Sequence, residues 1–230
     1  MDGNGRWAGR SGLLRARGHE EGAAAVRDVT EAAAEWGIRH LTLYAFSAEN
    51  WQRPAAEIGV LMKLLRRYLR EERRTLLEHG VRLRALGRLA DLPADVRELL
   101  AESEQATAGG ERCTLRLGLS YGGRQEICDA VVRIAEDVAA GRLSPGELTP
   151  GMIAARLYDP GMPDPDLIIR TGGEVRLSNF LLWQSSYAEM HFTPVLWPDF
   201  RRGHLLEALQ DYHRRVRRFG RVPESDPAVR

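Results

Sequence analysis

Several ingredients of specialised proteins are scarce in these 230 residues. Cysteine occurs twice, at Cys113 and Cys128. That is too few for a disulfide framework, and the spacing holds no zinc, so reduced core thiols are expected. Long apolar runs are missing. Stretches such as NFLLWQ (179–184) stop far short of the roughly 20 residues that a membrane-spanning helix needs. The polar opening MDGNGRWAGR is no secretory signal, and a cytoplasmic location is the default. Surplus charge is absent too: 33 Lys+Arg against 32 Asp+Glu leave a net +1. This argues against a protein that is basic overall and built for nucleic acid, although it leaves room for a local basic pocket. Internal repeats and low-complexity tracts do not occur. There is no Cys/His ligand set and no second carboxylate close to Asp2 in sequence, which argues against a tightly held structural metal.

What is present is an ordinary folding composition, 43% hydrophobic and 28% charged, enough for one substantial core. Helical and strand-like stretches alternate along it. Residues 20–37 place alanines, Val26 and Val29 at helical spacing and stop at Gly37. Residues 38–46 have the content of a buried strand. A long amphipathic helix is expected over 55–79, with Ile58, Leu61, Met62, Leu65, Leu69 and Leu76 on one stripe and five arginines on a wet face. A strand (81–87), a helix (93–107), a strand (113–121) and a helix (124–141) follow. After a Pro/Gly-rich turn and a short helix near PGMIAARLY come a strand at 165–170, a helix over LSNFLLWQSSYAEM, a short strand near MHFT and a closing helix at 201–220. This alternation predicts an α/β fold with a central, mostly parallel sheet flanked by helices.

In such sheets ligands sit at the carboxyl ends of the strands. Each unusual polar cluster falls at such an end: SAENWQRP after 38–46, SYGGR after 113–119 and RTGGEVRLSN after 165–170. They are expected to converge. The opening Asp2-Gly3-Asn4-Gly5-Arg6 reads as a backbone loop that wraps an anion. Gly3-x-Gly5-x-x-Ala8 formally matches the dinucleotide fingerprint, but no strand stands in front of it and Trp7 suits close nucleotide packing poorly. A surface turn is the plain alternative, against which stands Asp2, placed to reach a phosphate through a bridging metal. In FSAENWQRP, a helix cap accounts for Ser47 or Asn50 but not for Trp51 and Arg53 in the same turn. In IIRTGGEVRLSN, Arg170 and Arg176 flank Gly172-Gly173, and Ser178 is expected to start a helix, together an anion clamp; surface ion pairs are the alternative. His19 and Glu189, taken singly, are ordinary cap and surface residues. Arg6, Arg15, Arg53, Arg170 and Arg176 together exceed the needs of one phosphate group and would serve two diphosphates beside an apolar pocket. A loosely held Mg²⁺ that arrives with the substrate suits this set.

The motifs MDGNGRWA, RARGHEEGA, LTLYAFSAENWQRP, LSYGGRQEI, PDPDLIIRTGGEVRLSNFLLWQSSYAEMHFTPVLWPDF and the closing RRFG resemble the cis-prenyltransferases, the undecaprenyl diphosphate synthase group in particular. The resemblance covers residues 1–220, implying one catalytic domain with a hydrophobic tunnel and a tail at 221–230. It implies an isoprenyl transferase that condenses isopentenyl diphosphate with an allylic primer such as farnesyl diphosphate into a cis-polyprenyl diphosphate, a cell-wall lipid carrier among the options. By resemblance Asp2 is the essential acid that handles Mg²⁺. Gly3, Asn4, Gly5, Arg6, Trp7, Arg15 and His19 form the allylic-diphosphate site, and Asn50 is the proton acceptor or its organiser, set within Ser47, Ala48, Glu49, Trp51 and Arg53. Arg170, Arg176, Leu177 and Ser178 form the isopentenyl-diphosphate clamp, and Glu189 is the second Mg²⁺ position. A homodimer completed by a C-terminal arginine motif is implied, as is transient membrane-surface contact through the lipid product. The absence of a DDxxD pair separates the chain from the all-helical trans synthases.

Two departures from that pattern bear on function. Met1 stands where relatives carry a hydrophobic strand, so either the true start lies upstream or the chain is cut, and Asp2 is expected to fray and activity to suffer. Gly172 stands where the family usually has serine, one phosphate donor fewer. Small Ala45 leaves the tunnel unobstructed and favours a medium to long product over a short one. A non-catalytic partner subunit is the rival of a different kind, and retention of Asp2, His19 and Asn50 speaks against it.

Overall fold

A computed structural model describes residues 1–10, 12 and 14–216. At its centre lies β3 (Cys113–Tyr121), hydrophobic over most of its length as a strand covered on both faces must be. Cys113, Leu115, Leu117 and Leu119 alternate along it, each 3% exposed or less. β1 (His40–Ser47) and β2 (Val81–Leu86) flank it in the order β1-β3-β2, both parallel, with His40 opposite Thr114 and Val81 opposite Cys113. Parallel neighbours cannot be joined by tight turns, and helices make the crossings. α2 (Arg15–Glu35) precedes β1; α3 (Ala55–Glu71) and α4 (Arg73–Glu78) link β1 to β2; α5 (Ala94–Ala106) leads into β3. Val29 and Ala33 of α2, Met62 and Leu69 of α3, and Val96 and Leu100 of α5 join the β3 leucines in one buried cluster.

Beyond β3, α6 (Gly123–Ala139) and α7 (Pro150–Ala154) lead to a second parallel pair, β4 (Leu167–Arg170) and β5 (Glu189–Phe192), followed by α8 (Arg202–His213). Arg170 lies opposite Phe192 and Leu167 opposite Glu189. The α/β class and the parallel strands are as expected, but the strands form two sheets. Among the described residues the expected tunnel is not shown: Phe46, Met62, Leu69, Leu117 and Leu119 pack in one cluster, each 3% exposed or less.

Other expectations need correction. The opening stretch is not a loop but a short helix, α1 (Asn4–Arg10). It lies close on α2, where a Cβ at Gly18 would meet the Asn4 carbonyl oxygen at 2.0 Å; the missing side chain is what admits α1. Nor is Asp2 frayed. Its N–H donates to Thr171 Oγ1 at 2.9 Å, and its carbonyl accepts from Thr171 Oγ1 and from the Trp197 N–H, both at 2.9 Å. The helix expected over 55–79 breaks at Glu72, a buried carboxylate that receives Arg27 of α2. The helix expected from Ser178 does not form. Ser178, Asn179 and Leu181 take left-handed backbone angles (φ 52°, 62° and 46°), which a right-handed helix excludes. The Ser185 hydroxyl shares the Leu181 carbonyl with the Ser185 backbone N–H, and the Ser186 hydroxyl bonds the Trp183 carbonyl. The closing helix ends at His213, short of the expected 220, and residues 217–220 lie outside the described residues, as do the arginine motif's RRFG and the 221–230 tail.

Candidate functional site

The carboxyl end of β4 brings Arg170 to the opening stretch 168 residues earlier. Arg170 Nη2 donates to Asp2 Oδ2 at 3.0 Å, and Arg6 Nη2 lies 3.3 Å from Asp2 Oδ1. Burial alone would raise the Asp2 carboxyl, but the Arg170 hydrogen bond and the charges of Arg6 and Arg170 outweigh it, holding it below the usual carboxylate range. Asp2 is therefore an anion at neutral pH. Arg6 Nη1 also donates to the Gly172 carbonyl at 2.6 Å. Gly172 itself has φ +87°, and a Cβ there would meet Arg6 Nη2 at 2.6 Å. Arg170 Nη1 donates to Ser178 Oγ at 2.6 Å and to the Arg176 carbonyl. Its Nε is buried and has no partner among the described residues. Two guanidinia, one with a spare buried donor, thus flank an ionised carboxylate that is still partly open to solvent, an arrangement suited to holding phosphate oxygens.

The other predicted residues fall into two groups around this centre. Gly5 lies beside the Arg15 guanidinium, whose Nε would be 3.5 Å from a Cβ there, an ordinary contact. Arg15 and Arg53 share Glu57, at 3.5 and 2.9 Å. His19 lies in their field and is held below the usual imidazole range, first by burial and then by Arg53 and Arg15; it is neutral at pH 7. Asn4 Oδ1 is buried without a partner among the described residues, Gly3 (φ +108°) lies against Leu196, and Trp7 Nε1 donates to Asp199 Oδ1 at 2.7 Å.

After β1, Ala48–Gln52 forms one 3-10 turn. The cap reading of Ser47 and Asn50 is realised here: Asn50 Oδ1 accepts from the Ser47 N–H at 3.1 Å. Trp51 packs edge-on to Phe46 at 4.8 Å between centroids and donates to Ser120 Oγ at 2.9 Å. Glu49 accepts from Asn179 Nδ2 at 2.7 Å. The three strand ends are thus joined by direct bonds. Arg176 presents its carbonyl to Arg170 while its guanidinium pairs with Glu174 at 2.5 Å, and Leu177 is only partly exposed beside it. Glu189 has no hydrogen bond or ion pair with Asp2 among the described residues. It stands three positions back from Phe192 on β5, about 10 Å along a strand, and pairs with Arg215 at 2.9 Å.

Sequence reasoning passed over Glu57, Thr171, Glu174, Asn179 and Asp199. Glu57 had a signal, four residues after Arg53 on a helix, and Glu174 stands two residues from its partner Arg176; Thr171, Asn179 and Asp199 act across more than a hundred residues. Among the described residues no three His, Cys, Asp or Glu side chains gather as a metal cage. The donor set does fit Mg²⁺ that arrives with a diphosphate, since one hard, ionised, accessible carboxylate is what such an ion takes from protein.

The sequence matches the family model described as "Putative undecaprenyl diphosphate synthase" over residues 1–220. It is 52% identical to the isoprenyl transferase of Agrobacterium fabrum over 224 residues, 97% of this chain and 91% of that protein. With an isoprenyl transferase of Heliobacterium mobile the identity is 49% over 222 residues, covering 96% and 85%. Among solved structures, lavandulyl diphosphate synthase from Lavandula x intermedia, in complex with dimethylallyl diphosphate, aligns with a TM-score of 0.93 at 33% identity, over 96% of this chain and 95% of that one. A probable undecaprenyl diphosphate synthase from Campylobacter jejuni aligns with a TM-score of 0.77 at 37% identity, over 87% and 92%.

Proposed function

The chain belongs to the undecaprenyl diphosphate synthase family and is a cis-prenyltransferase, and from there we propose that it condenses isopentenyl diphosphate with an allylic diphosphate, farnesyl diphosphate as primer, into a medium to long cis-polyprenyl diphosphate. The observation that carries this reading is Asp2 set between Arg6 and Arg170, with a buried Arg170 N–H that has no partner among the described residues. The reaction breaks the allylic carbon–oxygen bond, forms a carbon–carbon bond and releases one proton. Arg6, Arg15 and Arg53 bind the departing allylic diphosphate and meet its charge as it develops. Arg170 and Ser178, with Arg176 swung off Glu174, hold the isopentenyl diphosphate. Asn50, capped against Ser47, organises or takes the proton. Bound Mg²⁺, held by Asp2, would supply further neutralisation of the leaving diphosphate. Fixing both substrates in one geometry accounts for much of the remaining acceleration.

The complex of the lavandulyl relative with dimethylallyl diphosphate supports an allylic diphosphate as one substrate here. A short product is the second reading, favoured by the closed packing of Phe46 and Leu119 beside Ala45. Contact of the lipid product with a membrane surface goes with the longer one. The test is incubation with radiolabelled isopentenyl diphosphate, farnesyl diphosphate and Mg²⁺, followed by butanol extraction and chromatography. Labelled lipid is expected, and its length decides between the readings. Asp2→Ala should lower turnover about a hundredfold or more with an unchanged circular-dichroism spectrum. No extractable product from the wild type would instead favour a non-catalytic partner subunit.

A further inference from the structure

Asn179 was assigned no role, yet it ties the strand-end loops together. Its Nδ2 donates to Glu49 Oε1 at 2.7 Å and to Gln125 Oε1 at 3.0 Å, and its Oδ1 accepts from the Arg124 N–H at 2.8 Å. Its carbonyl accepts from the Gly123 N–H at 2.7 Å. These partners fix which way the amide faces. A backbone N–H requires an acceptor. Glu49 is an anion that only accepts: burial would raise its carboxyl, but the Asn179 bond and local backbone and Ser47 bonds hold it below the usual range. One acceptor and two donors on so short a side chain is what asparagine offers and aspartate does not. The left-handed backbone at φ 62° also suits asparagine better than most residues.

On either side of Asn179 the chain is anchored to the proposed chemistry. Ser178 Oγ accepts from Arg170 at 2.6 Å, and the Phe180 ring stacks on Tyr44 of β1 at 4.6 Å and 15°. Glu49 directly precedes Asn50. We infer that Asn179 is a positioning residue for the condensation, holding the turn that carries Asn50 in fixed register with the loop that carries Arg170 and Ser178. The inference rests on the function proposed above. Its physical basis is that a misplacement of about 1 Å between reacting groups costs about a hundredfold in rate.

A double-mutant cycle tests it. Asn179→Asp keeps the shape and the bond from Arg124 but sets a carboxylate against Glu49. In that background Glu49→Gln restores a donor–acceptor pair with the direction reversed. Measured per folded enzyme at saturating substrates, Asn179→Asp should lower kcat about tenfold or more in the wild type, with the thermal midpoint within a few degrees. In the Glu49→Gln background the same change should cost less than about threefold. Equal losses in both backgrounds, or a kcat within twofold of wild type for Asn179→Asp alone, would overturn the inference. A wild type that makes no product overturns the functional reading and this inference with it.

Discussion

Gly172 shows how one side chain's absence is used. In this chain the space a serine Cβ would enter is already taken by Arg6, 2.6 Å away, and the backbone there is left-handed. Substituting a serine therefore does not simply add a hydroxyl donor; it displaces Arg6 from Asp2 and strains the turn by about 1–2 kcal/mol. Gly172→Ser should lower the melting temperature by several degrees and raise the KM for a diphosphate substrate. Unchanged melting and KM would mean that Arg6 moves aside freely and is not held where the site needs it.

The packing of α1 on α2 depends on a missing Cβ in the same way, now along a helix. Alanine is the better helix former by about 1 kcal/mol, so on an exposed helix face Gly18→Ala would stabilise. Here the new Cβ meets the Asn4 carbonyl oxygen at 2.0 Å, main chain that cannot swing away, and overpacking of this kind costs about 1–3 kcal/mol. Urea unfolding should show Gly18→Ala destabilised. Turnover should fall with it, because α1 carries Arg6 and follows Asp2. A stabilised, fully active variant would show that α1 is not docked as described.

For the molecule as a whole, the family's implied homodimer and C-terminal arginine motif set the expectation. Light scattering should give the full chain a mass about twice 25.8 kDa. Removal of residues 221–230 should leave both the dimer and turnover, whereas removal of everything after Val216 should abolish turnover by taking away Arg217 and Arg218. Equal activity from both truncations would detach the RRFG motif from the site.

The order of helices and parallel strands, and the gathering of polar clusters at strand ends, could be determined from the residues alone because both follow from local periodicity and composition. The stripe of Leu65 and Leu69, the leucines of β3 and the loops after β1, β3 and β4 all carried that signal. Only the tertiary structure decided that Arg170 reaches Asp2 across 168 residues and that Asn179 reaches Glu49 across 130. It alone turned the opening loop into a helix seated on Gly18, broke the long helix at Glu72 and replaced the helix after Ser178 with left-handed turns. In each case a long-range contact or a side-chain hydrogen bond outweighed local propensity, and such contacts leave no periodic trace in the chain.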